Sequence, residues 1–303
     1  MVPADQERNR MCVRRILLPL GGMSHAESAL QVGGAIARMF DAHLAVLHVG
    51  TDMQEVGPLV GEGLSGAMVQ DMITAALKES AARLHGVRAL FDAFIVHEKI
   101  PVVAVDSPFS PAGMHALSAS FIAHSGHTRS VVAFQARLSD LVVLRQPNPE
   151  GDVSSSDTLH AVLFESGQGV IIVPPVAPPT VGKRICIGWN GTSEAASAIH
   201  HALPLLRRAQ AVCILYSPAY QRPGPEARHV SSFLSLHGVT AHIHEFGSDS
   251  HPVGEDMLAA AHAFNADMLV MGAYSHSRLR QMILGGVTRH MLENSDITVL
   301  MSR

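Results

Sequence analysis

The chain has 303 residues, of which 47% are apolar and 16% charged, and its formal net charge is −4. A chain this apolar is not a disordered one, and without a basic surplus it has no electrostatic footprint for nucleic acid. No apolar run approaches the ~18 residues of a membrane span, and the start MVPADQERNRMCVRR has charge with no apolar core behind it, so neither a span nor a secretory leader is expected.

Taken from the N-terminus, RILLPL reads as a short buried strand, GGMS as a turn and HAESAL as the start of a helix that contains Gly33 and Gly34. A second strand, AHLAVLHV, follows. The Gly-rich EVGPLVGEGLSGAM and a His-rich region over 97–127 come next. They are expected to form a surface lid or partner contact rather than a core of their own. ARLSDLVVL and GVIIV supply two further strands, separated by QPNPEGDVSSSD and a helical segment. Four prolines in PPVAPPTVG (174–182) then predict a stiff, extended linker.

Past the linker the pattern begins again. RICIGWNGTSEAASAI (184–199) matches RILLPLGGMSHAESAL (15–30) without a gap at seven of sixteen positions. Thr192 or Ser193 is placed to cap the helix. AQAVCILYS repeats the second strand, GEDMLAAAHAF reads as a helix, AFNADMLVM matches ARLSDLVVL, and DITVL matches GVIIV. The copies are offset by 169 residues at their starts (15 to 184) and by 127 at their ends (170 to 297), which leaves 42 extra residues in the middle of the first. Strands alternating with helices predict an α/β protein of two repeated doubly wound domains, 13–174 and 183–303. Each is a mainly parallel five-stranded sheet with helices on both faces. Ligands of such sheets sit outside the carboxyl ends of the strands, where the strand order reverses. The turns after the first and fourth strands of each copy are therefore the places to look.

In the second copy those turns are GWNGTS and GAYSHSRLRQMILGGVTRHML. Gly272 closes a strand, while Gly285 and Gly286 open a helix. Two readings stand side by side: free N–H groups at a helix start hold a phosphate that glycines let approach, or the glycines serve only a sharp helix entry and close packing. Thr288 offers a hydroxyl, and Arg278 and Arg280 offer charge or simply a solvated loop face. Trp189, the only tryptophan, is either a packing residue or one wall of a base pocket.

These residues resemble the universal stress protein family, whose nucleotide-binding members carry G-x-x-G, nine residues, then G-[S/T]. The frame here is Gly272-Ala-Tyr-Ser275, nine residues (276–284), then Gly285-Gly286-Val287-Thr288. The resemblance spans 183–303 and, more weakly, 14–174. It implies a tandem protein of the adenine nucleotide alpha hydrolase-like fold, active in stress survival, with ATP carried by Mg as the ligand to expect. The nucleotide-binding residues it implies are Trp189, Asn190, Met271, Gly272, Ser275, Gly285, Gly286, Val287 and Thr288. Three positions depart from the pattern. Ser275 replaces a glycine, Gly286 replaces a Ser or Thr, and Asn190 stands where relatives usually have an aspartate near the sugar. Ser275 brings a Cβ to a position that favours φ > 0, Gly286 forfeits one phosphate hydrogen bond worth about 1–2 kcal/mol, and Asn190 binds a ribose hydroxyl without charge assistance.

In the first copy Arg145 stands at the place of Gly272, and Thr158-Leu159 replace the glycine pair, so that copy is read as a non-binding partner. The family resemblance implies pairing through the last strands, with 170–173 antiparallel to 297–300 within the chain, and leaves room for a further homodimer. No P-loop, G-x-S-x-G elbow or S-G-G-x-D-S is present and no nucleophile has an evident base, so no catalytic residue is named; slow ATP hydrolysis is the most an enzyme reading allows. The 19 histidines, including His242 and His244 on one strand, lack the company of a closed metal site, so no metal is expected. Cys186 and Cys213 fall in strands as small hydrophobes, and with Cys12 show no C-x-x-C spacing, as expected of a reducing cytoplasm. A ligand-free signalling scaffold acting through protein partners is the alternative to a nucleotide sensor.

Overall fold

Short Ile, Val and Leu runs bounded by turn residues become strands, and the periodic Ala-rich segments between them become helices. The structure is a computed structural model that describes residues 13–23, 26–50, 66–103, 116–147, 153–247, 251–274 and 286–303. The first half runs β1 (Arg15–Pro19), α1 (Ala26–Phe40), β2 (His43–Gly50), α2 (Gly66–Glu98), β3 (Ser118–Ser125), α3 (Thr128–Ala136), β4 (Leu141–Arg145), α4 (Val153–Glu165) and β5 (Gly169–Val173). The second runs β6 (Arg184–Trp189), α5 (Ser193–Leu206), β7 (Ala211–Tyr216), α6 (Ala227–Leu236), β8 (Ala241–Glu245), α7 (Val253–Ala263), β9 (Met268–Gly272), α8 (Gly286–Asn294) and β10 (Thr298–Ser302).

The ten strands form one sheet in the order β3-β2-β1-β4-β5-β10-β9-β6-β7-β8. Every neighbouring pair is parallel except β5 and β10, which run antiparallel with Val299 opposite Ile172, Leu300 opposite Ile171 and Met301 opposite Val170. Each half thus has the same order about a central seam. The seam joins two apolar strands that would otherwise be bare edges, an arrangement that removes their open hydrogen-bonding groups from solvent. Strand side chains alternate between two layers. Ile16 and Leu18 lie in the layer that holds α1, α2, α5 and α6, whereas Leu17 lies in the layer of α3, α4, α7 and α8.

An aspartate ties the strands together in both halves. Asp140 Oδ2 accepts from the backbone N–H groups of Arg14 (2.7 Å) and Arg15 (2.9 Å). Asp267 Oδ1 accepts from Arg184 N at 3.1 Å, and its Oδ2 accepts from Lys183 N at 3.0 Å and Thr180 Oγ1 at 2.6 Å. These two aspartates, one ahead of β4 and one ahead of β9, fasten β4 to β1 and β9 to β6 at the strand starts.

The extra length of the first half is arranged differently from the sequence expectation. Its largest described part is α2, with 33 residues against 10 in α6, and 118–125, inside the His-rich region, is the sheet strand β3. The pattern concealed α2 because its outer part packs on little. Met68, Met72 and Leu77 are exposed, so its apolar residues mark no single buried stripe. Most of the Gly-rich stretch, 57–65, lies outside the described residues. No helix among the described residues is long and apolar enough to cross a membrane.

Candidate functional site

Strand order reverses between β6 and β9 in the second half, and the carboxyl ends of these strands place Trp189, Asn190, Met271 and Gly272 together. Gly191, with φ +86°, turns the chain after β6 into Thr192, which caps α5: its hydroxyl oxygen accepts from Ala195 N at 3.3 Å.

Gly272 answers to packing. A Cβ there would lie 2.5 Å from Ala195 N and 2.7 Å from the Glu194 carbonyl carbon, so only glycine lets the start of α5 sit against the end of β9. Gly286 does not. A Cβ there meets nothing within 4 Å among the described residues, and the residue is exposed at the first position of α8. Val287 is half-buried and Thr288 buried in the same helical turn. Ser275 and Gly285, along with Arg278 and Arg280, lie outside the described residues. Met271 is buried among the side chains beneath α7 and α8, so its side chain does not reach a ligand.

Asn190 is buried and engaged in its own turn. Its Oδ1 accepts from Thr192 N (3.2 Å) and Thr192 Oγ1 (2.9 Å), and its backbone carbonyl accepts from Arg222 N at 2.8 Å. The loop after β7 crosses here. Gly224 lies so close to Gly191 that a Cβ would stand 2.0 Å from the Gly191 carbonyl oxygen. Burial raises the Tyr220 phenol pKa, opposed by Arg222 and by a hydrogen bond to Asn190. Neither Tyr220 nor this strap was singled out from the sequence, although the turn-rich SPAYQRPGPE after a strand carries the signal. The Trp189 ring points away from the β9 side, into the layer of α5 and α6. Its Nε1–H donates to Pro225 O at 2.8 Å, and the ring walls a cavity of about 230 Å³.

Tyr274 is the second residue that sequence reasoning passed over. It holds φ +59°, is buried, and its hydroxyl lies 2.9 Å from Nε2 of His160 on α4 of the first half. Burial pushes the Tyr274 phenol up to about 12 and lowers His160, the latter opposed by Asp157.

Among the described residues of the first half, the matching positions do not open a helix. Thr158 and Leu159, the counterparts of the glycine pair, are buried inside α4, which begins at Val153. Elsewhere, His242 and His244 lie on the exposed edge strand β8, and Cys186 and Cys213 are free, buried and opposite one another on β6 and β7. Among the described residues no three His, Cys, Asp or Glu side chains come together as metal ligands.

Comparison with known proteins gives two results. The profile of the universal stress protein family matches residues 182–303. Among solved structures, a universal stress protein from Archaeoglobus fulgidus DSM 4304 superimposes with a TM-score of 0.63 at 16% identity, covering 95% of this chain and 96% of its own. A functionally unknown protein from Pseudomonas aeruginosa PAO1 gives 0.52 at 14% identity, covering 96% of this chain and 92% of its own. At such identities the shared property is the fold. No curated protein matches the chain.

Proposed function

We propose, from the match of residues 182–303 to the universal stress protein family, that the chain is a tandem stress-response protein whose second half senses an adenine nucleotide. The domains of this reading are 13–174 and 183–303. The observation that carries it is Gly286. It opens α8 exposed, with no described residue within 4 Å of where a Cβ would stand, which supports phosphate approach to the first N–H groups of the helix. Gly272, Ser275, Gly285 and Val287 would contribute backbone groups, Thr288 a hydroxyl, and Met271 its main chain. Mg would arrive with the triphosphate. The sugar contact expected of Asn190 is limited to its amide nitrogen, since its oxygen already accepts two bonds from Thr192. The first half binds nothing in this reading, because its counterpart positions are interior to α4. Two buried free thiols suit a reducing, cytoplasmic setting.

A second reading, a ligand-free scaffold, draws support from the packing role of Gly272 and from the strap across β6. Nucleotide content of the purified protein by mass spectrometry, followed by calorimetric titration with Mg-ATP, separates the two. One site per chain, lost in a folded Gly285→Val/Gly286→Val variant, is the expected outcome. No heat up to millimolar ATP, weaker than about −4 kcal/mol, gives the scaffold its place.

A further inference from the structure

The cavity beside Trp189 lies between α5 and α6, on the opposite side of the β6 carboxyl end from β9. Its floor is buried and apolar: the Trp189 ring, Ile199 and Val230. Its mouth is exposed and carries Pro225, His200 and His229. Phe233 stands edge-on to His200, with ring centroids 5.2 Å apart. No carboxylate, ammonium or guanidinium lines the space, and the indole N–H is already bonded to Pro225 O. His229 Nδ1 likewise accepts from Glu226 N at 3.1 Å as part of the α6 capping box.

The opening has a physical origin. In the first half the matching helices are wedged together by phenylalanines. The Phe94 ring of α2 sits so close to Gly34 of α1 that a Cβ there would be 2.5 Å away, and Phe91 is fully buried beneath it. The shorter α6 brings a single phenylalanine, half-buried Phe233, to the same layer, and about 230 Å³ is left over.

From this geometry we infer that the cavity between α5 and α6 is a binding site for an uncharged aromatic molecule of one to two rings. The floor is apolar and the indole N–H and His229 Nδ1 are already paired, so the interior offers water few partners, and a dry cavity of roughly 150 Å³ is enough to hold benzene. Aromatic walls add edge-to-face contacts beyond area burial. A phosphate-bearing ligand finds neither Lys nor Arg in the lining to neutralise it. The inference is independent of nucleotide binding at α8.

The sole tryptophan is a built-in reporter. Iodobenzene, an apolar ring with a quenching heavy atom, is titrated into the full chain while Trp189 emission is followed. Quenching that saturates is expected, together with a rise in Tm. Filling the space by Ala196→Phe, or separately by Val230→Phe, is expected to weaken the probe by about tenfold or more while circular dichroism is unchanged. Quenching that climbs linearly without a plateau would mark collision with solvent-borne probe and overturn the inference. Displacement of bound iodobenzene by Mg-ATP in competition would assign the cavity to the nucleotide and overturn it equally.

Discussion

The hydroxyl of Tyr274 and Nε2 of His160, 114 residues apart in the chain, lie 2.9 Å from each other across the central seam. The contact joins the turn after β9 to α4 of the other half. A reciprocal bond runs back, from Gln146 Nε2, just after β4, to the Leu292 carbonyl on α8 at 2.7 Å. Phe164 and His160 stack edge-on around the Tyr274 ring, and the Arg303 guanidinium lies 4.2 Å over Phe164. Each half therefore holds the strand-end turn of the other, and the turn so held in the second half leads into the candidate phosphate loop.

Replacing Tyr274 by Phe keeps the stacked ring and removes only the hydroxyl. The expected cost is about 1 kcal/mol of stability, read as a shift of the urea midpoint. In a double-mutant cycle with His160→Leu, most of that cost should disappear, giving a coupling near 1 kcal/mol. Additive losses would show that the two side chains do not communicate.

The two glycines at the candidate site are expected to separate cleanly. Gly272→Ala drives a Cβ to within 2.5 Å of Ala195 N, and the start of α5 must move; a loss of about 1–3 kcal/mol in thermal or chemical unfolding is expected. Gly286→Ala meets nothing among the described residues and should stay within about 0.5 kcal/mol of the parent. Equal effects at both positions would contradict the packing account of Gly272.

Asp267 satisfies two backbone N–H groups and one hydroxyl near the start of β6, and is buried. Asp267→Ala orphans all three donors and should cost about 2–4 kcal/mol, because hydrogen bonds to a carboxylate are among the stronger ones. Asp140→Ala, whose two backbone partners are solvent-exposed, should cost less. Denaturation curves of the two variants compared with the parent decide the order.

His43 predicts a pH dependence. Burial, and then the neighbouring Arg15, lower its pKa to about 4 from the ordinary 6.5, while its ring nitrogens meet Ser118 Oγ at 3.0 Å and Ser120 Oγ at 2.9 Å. The folded state favours the neutral ring, so the unfolded chain binds the proton first. Its contribution is complete above pH 6.5 and is lost as the pH falls toward 4, at no more than about 1.4 kcal/mol per pH unit. His43→Gln should flatten the stability profile in that window; an unchanged acid limb would assign it to other groups.

The chain by itself determined the architecture. Repeated strand–turn–helix spacing, continuous apolar runs and the Gly and Pro punctuation are local properties, and they specify alternating β and α wherever the segments lie. The cap of α5 was equally visible, as Thr192 or Ser193 at the start of a helical run, because a cap acts within its own turn. Distance in space settled the rest. Only the approach of α5 to β9 separates the packing glycine, Gly272, from Gly286, which meets nothing among the described residues, for both read alike as letters. Only the fold brings Arg222 and Gly224 over Asn190 and turns its amide oxygen inward. The Tyr274–His160 contact and the cavity beside Trp189 depend on how two helical layers meet a common sheet. Such contacts join residues far apart in the chain, and no local periodicity encodes them.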